Sequence, residues 1–219
     1  MTLIQIIHLT ADPSATTPEV IKALKDVETP QHFVLGTQIQ DKTAIQITSE
    51  WDDVQDPSSF KTTPKSSSFT QSLSSLYGIP TSIFHINLDR SVFGPGGSAT
   101  ANVVEYVQSW FPASRATPGY QKQIEADFAR FNEIISKGVQ GRVGLASGWV
   151  LEEQEHADIE GGKAKCFVAV VGWESMNAFE ESLKRDAFKE AIPLLMAWNM
   201  PAKMWHVERK ILDGEEVGA

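Results

Sequence analysis

Short runs of β-branched and apolar residues alternate along the chain with segments whose apolar residues recur at helical spacing. Residues 3–9 (LIQIIHL), 32–40 (HFVLGTQIQ), 43–51 (TAIQITSEW) and 81–88 (TSIFHINL) have the length and composition of strands. EVIKALKDV, following Pro18, reads as a helix between the first two strands, and residues 68–77 read as a second helix before the fourth. The predicted order is βαββαβ. Beyond residue 100 the same order returns. ANVVEYVQSWF predicts a strand, and YQKQIEADFARFNEIISKG predicts an amphipathic helix ended by Gly138. Strands follow at RVGLASGWVLEE and KCFVAVVGW, then helical stretches around SMNAFEESL and DAFKEAIPLLMAW, then a closing strand, KMWHVERKI. Right-handed crossovers fold βαββαβ into a four-stranded antiparallel sheet with both helices on one face. The other face must be covered, and two such units in one chain cover each other sheet to sheet.

Ordered matches support a repeat. Trp51 answers Trp173, Phe69 answers Phe188, Pro80 answers Pro201 and His85 answers His206, with Gly36 answering Gly148 upstream. The expected organisation is a first βαββαβ repeat over 1–90, a linker over 91–101 and a second repeat over 102–219. GPGGSA at 94–99 lacks the lysine of a phosphate loop and marks the connection.

Composition narrows the function classes. Of 219 residues, 42% are hydrophobic and 21% charged, the balance of a globular protein. A net charge of -9 has the wrong sign for holding nucleic acid. Cys166 is the single cysteine, so there is no disulfide framework. With no basic and apolar leader pattern at MTLIQIIHLT and no membrane-length apolar run, a cytoplasmic protein without membrane contact is expected.

Candidate chemistry rests on few residues. Nucleotide loops and metal-ligand spacings are missing, so no cofactor and no metal are expected. Five histidines are present. His8 ends the first strand and His85 lies in the fourth, which pairs with the first in this fold, so the two are candidates to face one pocket. His206 with Tyr106 is the equivalent choice in the second repeat. His32, and His156 in the E-E-x-E-H run at 152–156, read as solvated, the run as a hairpin tip. Cys166 reads as a structural thiol. The second half is rich in aromatic residues, and Trp149, Phe128, Phe131, Met204 and Trp205 are the expected lining of an apolar pocket for a flat ligand.

GRVGLASGW, FVAVVGWESMNAF, DAFKEAIPLL and MWHVE resemble the dimeric α+β barrel proteins, which include the antibiotic-biosynthesis monooxygenase domain. The first half resembles them by element order and repeat anchors. The resemblance implies an α+β fold, two ferredoxin-like repeats packed as a pseudo-dimeric barrel in one monomeric chain, with a ligand pocket beneath the helices or inside the barrel. The family's reactions differ widely, so the expected function, cofactor-independent His/Tyr proton transfer on an aromatic or polyketide-like molecule leading to cyclisation, isomerisation or oxygenation, rests on the candidate residues. The alternative is a non-catalytic ligand-binding or stress-associated barrel. Haem binding through His206, beside Met204 and Trp205, is a third possibility.

Overall fold

The computed structural model describes residues 2–10, 19, 22, 30–51 and 64–216. Its strands are β1 (Thr2–Thr10), β2 (His32–Gln38), β3 (Ala44–Glu50), β4 (Ser82–Leu88), β5 (Val103–Pro112), β6 (Arg142–Val150), β7 (Gln154–Glu155), β8 (Lys163–Trp173), β9 (Ala202–Leu212) and β10 (Glu215–Glu216). Its helices are α1 (Pro64–Tyr77), α2 (Pro118–Ile135), α3 (Met176–Lys184) and α4 (Asp186–Met196). The helix expected over EVIKALKDV lies outside the described residues except for Glu19 and Lys22, which are helical.

Strands β2, β3, β1 and β4 lie side by side in that order, and β6, β8, β5 and β9 repeat it. β4 pairs with β6 and β2 pairs with β9, so the two four-stranded sheets join at both edges into a closed antiparallel barrel. Closure leaves the barrel without the unpaired strand edges that invite aggregation. The inner faces share one core, built around Ile4, Ile6, Phe84, Tyr106, Val170 and Trp205. The outer faces carry the helices. Phe69 and Leu73 of α1 pack on Phe33, Ile47 and Trp51, while Phe128 and Phe131 of α2 pack on Phe111 and Phe167.

Both sheet seams depend on a glycine. A Cβ at Gly36 would collide with Val207 and the Glu208 backbone across the β2–β9 seam, and one at Gly148 would collide with the Asn87 backbone across β4–β6. At both positions the missing side chain lets the backbones approach. The connection between β4 and β5 is no free tether. Val92, Phe93 and Ala99 are buried in the barrel core, and the chain crosses Gly144 and Gly172, Cα partners where a side chain would strike Gly96 and Ser98.

The helices of the second half roof its outer face. Thr117 accepts a hydrogen bond from the Tyr120 N–H, and Pro118 opens α2, a start that leaves no donor wasted. Arg185 is extended and separates α3 from α4. The Ile124, Phe128 and Phe131 stripe of α2 is buried, and Phe128 and Phe131 form part of one wall of a cavity on this outer face.

Candidate active site

Strand register decides which candidate side chains meet, because Cα partners share a face and neighbours along a strand do not. His8 is paired with Ser82, whereas His85 is paired with Gln5, so His8 faces the barrel interior and His85 the outer side of the sheet. Tyr106 is paired with Trp205 and stacks on it inside the barrel, with ring centroids 5.5 Å apart. His206 is paired with Glu105 and lies on the outer face. The expected pairs His8 with His85 and His206 with Tyr106 are therefore corrected: each is split between opposite faces of its sheet. Met204, Phe128 and Phe131 border one outer-face cavity, but Trp205 belongs to the barrel interior. Trp149 instead lines a groove between α2 and β6, where its indole N–H donates to Glu125.

Inside the barrel a polar chain runs between the halves. Ser82 bonds His8 Nδ1 at 2.9 Å, and His8 Nε2 donates to Gln46 Oε1 at 3.1 Å. The Trp205 indole donates to the same oxygen at 2.7 Å. Gln46 Nε2 donates to Thr48, whose hydroxyl lies 2.7 Å from the Tyr106 hydroxyl. Burial holds His8 at a pKa of about 4 against the pull of Gln46, and Lys203 adds to the lowering. It also pushes the Tyr106 phenol up. At neutral pH both groups are uncharged, and their hydrogen bonds tie β1 and β3 to β5 and β9.

The second half holds a different environment on its outer face. Beneath α2, α3 and α4 lies a cavity of about 330 Å³, bordered by Phe128, Phe131, Val171, Phe179, Phe188 and Met204. Its polar end is Glu105, Trp173 and Arg142. Glu105 is 8% exposed and accepts a hydrogen bond from the Trp173 indole at 2.8 Å. Burial raises its carboxyl pKa to about 7, although the Trp173 N–H and the Arg142 charge both favour the carboxylate. Arg142 is held by Asn132 and Ser136, each 2.7 Å away. Its own pKa is lowered by burial, with Glu105 opposing the shift. A carboxyl poised near neutrality, an indole donor and a guanidinium around an apolar space are the parts needed to accept a proton and steady an anion.

Glu105 went unnoticed in the sequence, yet a signal exists. In ANVVEYVQSWF a lone carboxylate interrupts the outward-facing residues Val103 and Val107 of a strand.

His206 stands beside this cavity. Its backbone N–H donates to Gln40 Oε1 at 3.0 Å, which turns the Gln40 Nε2 amide toward His206 Nδ1 at 2.8 Å. Nδ1 must therefore accept, and the neutral ring carries its proton on Nε2, which is buried and has no hydrogen-bond partner. The ring lies 4.3 Å from Phe179, which lines the cavity. Burial lowers its pKa to about 4. His85 is held in a matching way. The Glu152 carboxylate accepts from its backbone N–H at 3.0 Å and from its Nδ1–H at 2.6 Å, while Gln5 Nε2 lies 3.2 Å from Nε2. Glu152 is thus no solvated hairpin tip; its side chain is 18% exposed and bound. Among the described residues no group of three or more His, Cys, Asp or Glu is placed to hold a metal ion. No helix of the described residues is long and apolar enough to cross a membrane. Cys166 is buried, and burial raises its thiol pKa.

No family model and no curated protein match the chain. Solved structures do. The fold resembles an anthrone oxidase-like protein (TM-score 0.60, 15% identity, covering 100% of this chain and 96% of that one). It also resembles a candidate monooxygenase from Fusobacterium nucleatum subsp. nucleatum (TM-score 0.57, 14% identity, 98% and 95% covered). Another candidate monooxygenase, from Lactobacillus acidophilus, is similar (TM-score 0.56, 13% identity, 96% and 95% covered).

Proposed function

We propose, from a chain whose fold is the α+β barrel of the antibiotic-biosynthesis monooxygenase-like proteins in single-chain form, that this protein is an enzyme. It removes a proton from a flat, mostly apolar small molecule held beneath α2, α3 and α4. Glu105 is the base. The observation that carries this reading is the seat of Glu105, a buried carboxyl at the polar end of an apolar cavity, beside one indole donor and one guanidinium. A cavity of this size sits at the lower end of the range for small-molecule sites, roughly 300–1,000 Å³.

Anthrone is the probe substrate, chosen because the fold of an anthrone oxidase-like protein covers this chain. In the proposed step the Glu105 carboxylate takes a proton from the acidic ring CH2. The C–H electron pair passes into the ring system, leaving an enolate whose negative charge the Arg142 guanidinium opposes. Dioxygen then oxidises the enolate, and the net reaction is anthrone plus dioxygen giving anthraquinone plus water. His206 does not serve as the base in this scheme, since its Nδ1 is occupied by Gln40 and its Nε2 carries the proton.

The test follows oxygen uptake and anthraquinone formation. Glu105→Gln keeps the volume and the Trp173 hydrogen bond but removes the base, and turnover should fall about 100-fold or more. In the wild type, kcat/KM should rise with pH and level off above a midpoint near 7, the pKa of Glu105. Full turnover by Glu105→Gln would overturn the assignment. Tight anthrone binding by the wild type without oxygen uptake would leave only a ligand-binding protein.

A further inference from the structure

We infer that the substrate is longer than the Glu105 cavity: a flat reacting head sits there, and an apolar tail runs beneath α4 into a second chamber. This deepens the reading above and rests on it. The second chamber, about 530 Å³, is bordered by Ser109, Phe167, Trp198, Met200 and Pro201 and opens to the surface at Met196, which is 72% exposed. The two chambers share Val107, Phe128, Ala169, Ile192 and Leu195.

Their order along the strands shows that they lie end to end. On β5, Glu105 borders the inner chamber, Val107 both and Ser109 the outer one; on β8, Trp173 and Val171 border the inner chamber, Ala169 both and Phe167 the outer one. Ser109 is four residue steps along the strand from Glu105, about 13 Å of rise. At the waist the floor is Ala169, the smallest side chain among the shared residues, flanked by Phe167 and by Val171. All the polar chemistry described above, Glu105, Trp173 and Arg142, lies at the inner end. The outer chamber has an apolar lining around Ser109 and Asn199, which suits a hydrocarbon chain and offers it no reacting group.

The experiment measures equilibrium binding of anthrone and of its 2-butyl and 2-hexyl derivatives by quenching of tryptophan fluorescence, without oxygen. Each buried methylene is expected to tighten binding about fourfold. Burial of only about three of the six tail carbons therefore makes the hexyl compound bind at least about 30-fold tighter than anthrone in the wild type. Filling the outer chamber with Ala202→Trp or, separately, Ser109→Phe should collapse that ratio to less than about threefold. Ala202 is exposed, so its variant is the safer for folding. A wild-type ratio near one overturns the inference, because the tail then stays in water. A high ratio that neither variant changes overturns it too, because the tail then lies elsewhere. Tail-dependent binding with turnover indifferent to Glu105→Gln would defeat the catalytic reading and leave the two-chamber site. Glu105-dependent turnover without a tail effect would do the reverse, and no binding of any of the three compounds would defeat both.

Discussion

The two halves of the barrel each set one amide and one carboxylate around a histidine but seat the carboxylate differently. The strand registers place Gln5 opposite His85 and Glu105 opposite His206. Each histidine is also gripped at its backbone N–H and Nδ1 by a residue two positions past the end of the strand across the seam, Glu152 for His85 and Gln40 for His206. Leu151 and Ile39 complete the match by donating backbone N–H groups to the carbonyls of His85 and His206. Around His85 the carboxylate is the seam residue, Glu152, and it accepts from two N–H donors. Around His206 the seam residue is an amide, Gln40, and the carboxylate, Glu105, stands on the sheet under an apolar roof. On the proposed function, the location of one charge, more than the type of residue, separates a structural contact from a reactive one.

The strongest challenge to this comparison moves the carboxylate. The double variant Glu105→Gln with Gln5→Glu keeps the overall charge but places the acid in the first half. Turnover should stay at least about 100-fold below the wild type, as in the single variant. Recovery would show that the seat does not matter.

Stability sharpens the same contrast. Because the folded-state pKa of Glu105, about 7, lies above the unfolded value near 4.5, the native protein binds the extra proton and loses stability as pH rises through that window. Glu105→Gln removes the loss. It should be more stable than the wild type by about 3 kcal/mol at pH 8, with the gap closing below pH 4.5, as read by urea denaturation. Glu152→Gln should do the opposite, costing about 1.5–3 kcal/mol at pH 7 by weakening a charge-assisted bond while turnover per folded molecule is retained. If both substitutions move stability in the same direction at neutral pH, the two carboxyls occupy similar surroundings.

A smaller effect is expected at His206. Its folded pKa of about 4 lies below the unfolded value of 6.5, so its neutral form adds stability above pH 6.5 that is lost as pH falls toward 4. Gln40→Glu would copy the His85 arrangement, and a carboxylate at Nδ1 favours the imidazolium. The imidazole resonances of His206 should then titrate well above their wild-type midpoint. An unchanged midpoint would mean that the seam residue does not set the ring's protonation.

Much of the fold was legible in the chain. The strand runs, the glycines at 36 and 148 and the histidines at 85 and 206 mark positions that the register makes equivalent, and alternation in ANVVEYVQSWF places Val104 and Tyr106 on one face. What the chain did not reveal was which faces meet. A shift of one residue in register moves every side chain to the opposite face of the sheet, and no local pattern fixes that for His8 against His85 or for Tyr106 against His206. The site was less legible still. Glu105 acquires its chemistry only from α2, α3 and α4 closing over it, and Arg142 is brought close by a strand that begins 37 positions later. Glu152 looked solvated because its neighbours Glu153 and Glu155 are charged, whereas His85, its partner, is distant in sequence.

The protonation of Glu105 itself is the most direct measurement. With glutamate labelled at the side-chain carboxyl carbon, one resonance, missing in Glu105→Gln, should titrate with a midpoint near pH 7 and shift upward again in Arg142→Gln, since the lost guanidinium favoured the carboxylate. If that resonance instead titrates near 4.5, Glu105 is an ordinary solvated carboxylate, and the account of the second half as the reactive one is wrong.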